Sequence, residues 1–265
     1  MTATDLLATW ADRPAAERRL SLADLLRGAR DWPRVVRGPI VAASRDAAVL
    51  IPVFDDGEGL QVVMIERAHD IGTHRGDIAF PGGSCDPGEP GEAAALRETE
   101  EEVGIPAASI TVAAALSTHP IMSGFVIWPY IGVLPARPDL RHRSPEVART
   151  LVVNVTDLLA DGRWRQERWP GADGNLLDFF AVPGGVAWGT TGDLLRELLE
   201  ICITGRTGQP LLPGCLEKAE LVTIVDGDHP PECEMGGGEH VGTIRGRVDQ
   251  RRPHSLRRGG VHVPH

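Results

Sequence analysis

The sequence is short of several features that mark large protein classes, and each shortage removes one. Only four of its 265 residues are cysteines (Cys85, Cys202, Cys215, Cys233). None stands in a CxxC pair, so the spacing suggests no zinc site and a reduced, cytoplasmic setting is expected. No apolar run approaches the ~20 residues needed to cross a bilayer, so no membrane partner is expected. The first residues, MTATDLLATWADRPAAERR, lack both the basic start and the apolar stretch of a secretory signal. Positive charge is also scarce. With 27 Lys and Arg against 37 Asp and Glu the net charge is −10, which argues against a nucleic-acid surface built on clustered basic residues. A polyphosphate substrate is still admitted, because a bound metal can supply the missing positive charge.

What is present suffices for a folded domain, since 42% of residues are hydrophobic. Residues 1–38 read as one or two short helices, with apolar residues at helical spacing in LSLADLLRGAR (20–30). AAVLIPVF (47–54) and LQVVMIER (60–67) are strand-like and flank DDGEG, a hairpin signal. DIAFPGG (77–83), ITVAAAL (110–116), FVIWPYIGVLP (125–135), TLVVNV (150–155) and LLDFFAV (176–182) also read as extended, with Pro129 predicting a bulge or an edge. TTGDLLRELLEIC (190–202) is helical. Strands around a central helix, with a second helix late in the chain, predict an α/β sandwich on a mixed sheet.

From about Gly205 the character changes. Residues 206–265 have little apolar periodicity and a GGG run. An acidic stretch, Glu217 to Glu239, precedes six arginines between Arg245 and Arg258. Such a segment buries too little apolar area to offset its ordering entropy, and a disordered tail is expected. A nucleic-acid arm in RGRVDQRRPHSLRR is the minor reading. The domain boundaries expected are thus 1–38, 39–205 and 206–265. Nothing in the chain fixes the oligomeric state, and a homodimer is compatible with it.

The most informative stretch is GSCDPGEPGEAAALRETEEEVGI (83–105). Good helix formers fill its centre, a proline stands near its start and Gly104 just past its end, so a helix is predicted over 90–103. On that helix Glu98, Glu101 and Glu102 project from one side. Like charges so placed repel by roughly 0.2–0.5 kcal/mol per pair on an exposed helix. A hard divalent cation would convert that repulsion into binding energy.

This stretch resembles the Nudix box, G-x5-E-x7-R-E-U-x-E-E-x-G-U with U aliphatic. Gly83, Glu89, Arg97, Glu98, Glu101, Glu102, Gly104 and Ile105 fit, and Thr99 departs at the first U. The resemblance implies a Nudix-type α/β/α sandwich with a mixed sheet and a metal-dependent diphosphatase. It implies that Mg2+ or Mn2+ is held by Glu98, Glu101, Glu102 and the Gly83 carbonyl. Glu98, Arg97 and Glu101 are then the catalytic set, with Arg97 orienting a glutamate and Glu89 in support. Glu146, in SPEVA, is a candidate general base, with an exposed loop carboxylate as the plainer reading. His74 and His119 could touch phosphate, although a lone histidine is more often structural or merely exposed, and Phe125, Trp128 and Trp188 could stack on a base, although core packing is the default for aromatics in strands.

Just upstream, MIERAHDIGTHRGDIAFPGG (64–83) resembles L-L-T-x-R-S-x3-R-x3-G-x3-F-P-G-G, a signature of the coenzyme A diphosphatase branch. Arg67, Gly76, Phe80, Pro81, Gly82 and Gly83 match. The segments SGFVIWPYIG (123–132) and AWGTTGDLLREL (187–198) are similar to others in that branch. This implies cleavage of CoA or acyl-CoA to 3′,5′-ADP and (acyl-)4′-phosphopantetheine, with Arg67, Arg75 and Phe80 at the substrate. Gly72 stands where the signature has its second arginine, Ala68 where it has serine, and Asp77 where a neutral polar residue is usual. Arg75 is the candidate to replace the lost arginine. The alternatives are a general NADH or ADP-ribose pyrophosphatase and a non-catalytic nucleotide-binding regulator.

Overall fold

The computed structural model describes residues 3–40, 44–69, 76–141, 144–168 and 176–209. The chain divides into a unit over Met1–Met235 and a second over Gly236–His265, which lies outside the described residues. Of the tail expected at 206–265, only residues 206–209 are described.

Eight strands form the main sheet: β1 (Arg45–Asp55), β2 (Leu60–Arg67), β3 (Ile78–Ala79), β4 (Gly82–Ser84), β5 (Thr111–Ala115), β6 (His119–Ile121), β7 (Phe125–Val133) and β8 (Val147–Asn154). The spine runs β3-β2-β1-β7-β5, with β4 added on β1, β6 on β7 and β8 on β2. DDGEG makes the antiparallel β1–β2 hairpin that its glycines predict, with Val53 opposite Val62. β1 and β7 run parallel over their length, from Arg45↔Phe125 to Val53↔Val133, and make the sheet mixed. β1 reads as an almost unbroken apolar run because both its faces are covered.

Helices lie on both faces. On one, α4 (Gly91–Val103) packs Ala94 and Ala95 against Ala48, Leu50 and Tyr130. On the other lies α5 (Thr190–Thr207), whose Leu195, Leu198 and Leu199 join Ile51, Val53, Val62, Met64 and Ile131 in the largest core. The same core takes Leu7 and Trp10 of α1 (Ala3–Ala11) and Leu25 of α3 (Leu22–Ala29), so the N-terminal helices pack against α5. α3 begins with a reciprocal Ser21–Asp24 capping box. Residues 1–38 thus hold three helices, counting the single turn α2 (Ala15–Arg18), where one or two were expected. α5 runs to Thr207, past the expected boundary at 205.

Three strands escape the sequence reading. β6 is three residues long and contains Pro120; β9 (Trp164–Arg168) and β11 (Gly185–Ala187) flank β10 (Leu176–Val182) in a second, three-stranded sheet. The strand expected at 77–83 is broken at Phe80–Pro81, where the Pro81 carbonyl accepts the Leu50 N–H at 2.9 Å. Pro129 is at neither a bulge of its own strand nor an edge. It sits within β7, at the seam where the partner on one side changes from β6 to β5. Its carbonyl faces that seam and accepts from Leu116 at 2.9 Å, so the missing N–H falls where no ladder bond is required.

Candidate active site

α4 begins after Pro90, whose extended backbone directs the chain into the helix. It stops at Gly104, in the left-handed region at φ 74°, where the Gly104 N–H returns to the Glu100 carbonyl. Its inward face is almost entirely small: Gly91, Ala94, Ala95, Thr99, Val103 and one charge, Glu102. Thr99, the departure from the box, is fully buried and satisfies its hydroxyl on the Ala95 carbonyl at 2.7 Å. Small residues let the helix settle close to β1, and this brings its acidic side against β4.

Two glycines of β4 receive that side. Gly82 lies opposite Val49 of β1, and a Cβ there would stand 2.3 Å from the Ala48 carbonyl oxygen. Its N–H donates to Glu102 Oε2 at 2.9 Å. At Gly83 a Cβ would stand 2.5 Å from the Glu98 carboxyl carbon, so the Glu98 head group occupies the space a side chain would take.

Arg97 organises the rest. Its Nε and Nη2 form a fork on the Glu89 carboxylate, both at 2.9 Å. Nη1 donates to Glu98 Oε1 at 2.9 Å and reaches Glu101 Oε2 at 3.5 Å, while Nη2 also reaches the Ser84 carbonyl at 3.2 Å. The charge-assisted fork holds Glu89 below the usual carboxylate range. Glu98 moves the other way: burial raises it against the pull of Arg97, and Glu101 and Glu146 add to the rise. Glu102 is 4% exposed and is pushed up to about 7, by burial first and then by the Glu98 charge, against the Gly82 N–H and Arg67.

Arg67, at the end of β2, pairs with Glu146 at 3.6 Å. The Glu146 loop is tied to the same place by the Ala68 N–H donating to the Glu146 carbonyl at 2.8 Å. Glu146, a candidate general base, therefore stands where its charge is felt by Glu98 and Glu102. Phe80, expected at the substrate, is only 3% exposed and packs in the largest core. Arg75, Gly72 and His74 lie outside the described residues. His119 is buried on the α5 side of the sheet, away from α4, and burial with the nearby Arg37 charge lowers it to about 4. Trp128 is half-buried and donates its ring N–H to Asp46, Phe125 lies under the Arg45 guanidinium, and Trp188 stacks on Phe179 in the second sheet. The Ser84 carbonyl and the Gly82 N–H, both backbone groups, are parts of the site that carry no residue-type signal.

Carboxylate oxygens are the donors a hard divalent cation prefers. Glu98 and Glu102 bear negative charge that burial makes costly, and the one guanidinium on Glu98 is divided among several acceptors. Residues of this character fit a divalent cation. Among the described residues no three His, Cys, Asp or Glu side chains are already gathered as a ligand set. Glu98 stands over Gly83, Glu102 is held at the Gly82 N–H, and the Glu101 side chain is 58% exposed.

Comparison with known proteins shows which family the chain resembles. The NUDIX domain family matches residues 44–171. A protein of Shigella flexneri named uncharacterized Nudix hydrolase NudL is 33% identical over 178 residues, covering 65% of this chain and 90% of that protein. Its namesake in Escherichia coli K12 is 33% identical over 159 residues, covering 58% and 81%. A crystal structure of a Nudix hydrolase from M. smegmatis, RenU, superposes with a TM-score of 0.39 at 22% identity over 49% of this chain and 82% of that one. Among the described residues no helix is long and apolar enough to cross a membrane.

Proposed function

Since the chain belongs to the Nudix hydrolase family, whose members generally use divalent metal ions and act on nucleotide derivatives, we propose that it cleaves the diphosphate bridge of CoA or acyl-CoA. The products are 3′,5′-ADP and (acyl-)4′-phosphopantetheine. Glu98, Glu101, Glu102 and the Gly83 carbonyl would hold Mg2+ or Mn2+. When bound, the cation supplies charge neutralisation at the phosphoryl oxygens and lowers the pKa of water.

The chain's own residues supply position and proton control. Arg97 fixes Glu98 by a direct bond and is itself fixed by the fork on Glu89, so neither the guanidinium nor the Glu98 head group is free to turn. Glu98, fixed beside the Arg97 guanidinium, would accept a proton from the attacking water. The Gly82 N–H holds Glu102 in place. Arg67 presents a guanidinium only loosely held by Glu146 at 3.6 Å, and it orients a phosphoryl oxygen of the substrate. Arg75 assists in the role of the arginine that Gly72 replaces. The observation that carries the proposal is the pair of carboxylates, half-buried Glu98 and buried Glu102, seated on two consecutive glycines.

The choice of CoA rests on the residues of 64–83 that match the signature of that branch, and Gly72 is the residue that favours the second reading, a pyrophosphatase for NADH or ADP-ribose. One panel separates them: CoA, dephospho-CoA, NADH and ADP-ribose with Mg2+, products identified by mass. The expected result is 3′,5′-ADP and 4′-phosphopantetheine from CoA, with CoA preferred over dephospho-CoA and all turnover stopped by EDTA. Equal rates on CoA and dephospho-CoA would reject CoA specificity. Turnover persisting without metal would reject the site assignment.

A further inference from the structure

The outer stripe of α4, opposite the side that meets β1, forms one wall of an open groove of about 830 Å3. This is within the size range of small-molecule sites. Its floor is apolar and small, made by Ala93 and Leu96 of the helix and Ala107 of the short turn that follows it. The Ala107 N–H donates to the Glu100 carboxylate at 3.0 Å, which fixes the turn against the helix. Two groove residues, Arg97 and Glu101, belong also to the acidic cluster on Gly83. A substrate whose diphosphate lies at Glu98 can therefore extend directly into the groove.

The charge of the groove selects what enters. Its rim carries the Glu100 and Glu101 carboxylates, and among the described residues the guanidinium that lines it, Arg97, is already divided among Glu89, Glu98, Glu101 and the Ser84 carbonyl. Away from the cation held on the Glu98 side, a phosphate would meet the Glu100 carboxylate, and among the described residues no further cation lines the groove to offset it. A neutral chain bearing amide N–H groups would instead find acceptors on the rim and an apolar floor for its methyl groups. Resting on the CoA reading, we propose that this groove is the subsite for the pantetheine arm of the substrate, while the 3′-phosphorylated adenosine half binds elsewhere.

The test fills the groove from two different elements, with Ala93→Trp on the helix and Ala107→Trp on the turn. Each variant is checked for an unchanged melting temperature. The expected result is a KM for CoA raised about tenfold, comparable to the loss of two buried methylene contacts. The turnover number should hold, because the arm contributes equally to ground and transition states. The inhibition constant of 3′,5′-ADP should stay within twofold. Changes of equal size in the CoA KM and the 3′,5′-ADP constant, or no change in either, overturn the assignment. In the unaltered protein the Leu96 methyl resonances should shift with 4′-phosphopantetheine and not with 3′,5′-ADP; the reverse pattern overturns it without any variant. If the unaltered protein does not cleave CoA, the substrate reading falls and this subsite with it. If it cleaves CoA but the groove variants bind it normally, the subsite alone falls.

Discussion

On the α4 face of the main sheet, Glu102 buries a carboxylate against a single backbone N–H. On the α5 face, Glu197 is also wholly buried, yet it accepts from the Trp32 ring N–H at 3.0 Å, the Ser117 N–H and hydroxyl at 3.2 and 2.7 Å, and Arg37 at 3.3 Å. Both clusters are built from glutamate and arginine, and their difference lies in satisfaction. The Glu197 cluster spends its charge on internal partners drawn from the N-terminal segment, the turn before β6 and α5, and so it ties those parts together. The α4 cluster is left short of partners beside an open groove. Glu197, reached by four donors, is structural, whereas Glu102, reached by one N–H, keeps acceptor capacity for something that arrives from solvent.

The comparison breaks most readily at Glu98. Glu98→Gln should lower kcat by about a thousandfold, in the range of lost electrostatic stabilisation at a reacting centre, with little change in melting temperature. Retained activity would remove the catalytic face from the argument. Gly83→Ala should cost about a hundredfold in kcat through displacement of the Glu98 head group, again with the fold intact by circular dichroism. Glu197→Ala should do the opposite. Loss of one partner from a buried charged network costs about 3 kcal/mol or more, read as a lower urea midpoint, with turnover per folded molecule unchanged.

The smallest effect is a pH dependence on the α5 face. Glu200 is buried, and despite Arg196 and Arg37 burial pushes it up to about 7 from 4.5. The folded state therefore keeps a proton that the unfolded chain releases, and stability contributed by this group falls as pH rises from about 4.5 to 7. Glu200→Gln should leave stability unchanged at pH 4.5 and raise it at pH 8 by about 2 kcal/mol. An equal effect at both pH values would show that packing rather than ionisation is responsible. His119 acts in the other sense: lowered to about 4, it resists a proton that the unfolded chain takes up below 6.5, so its contribution is lost as pH falls through that window.

The two faces also differ in how far they could be read from the chain. Glu89, Arg97, Glu98, Glu101 and Glu102 were legible because one helix and the loop before it carry them all, and helical geometry fixes their offsets. The Glu197 cluster was not, since its partners at 32, 37 and 117 are brought to it only by the fold. Most long strands were found from apolar runs. β9, reading WRQER, offers no alternation, and β6 and β11 are too short to show any. Pro129 misled because proline within a strand usually marks an edge, and a change of neighbour along one flank of a central strand is invisible until the strands are placed.

The consecutive glycines at 82 and 83 carry a consequence for how this chain can vary. One is closed off from the sheet side, where β1 backbone fills the space, and the other from the helix side, where a carboxylate does. A saturation library selected for folding alone would tolerate alanine at the second position but not at the first. Selected for turnover, it would return glycine at both, so the same dipeptide would be retained under two separable pressures.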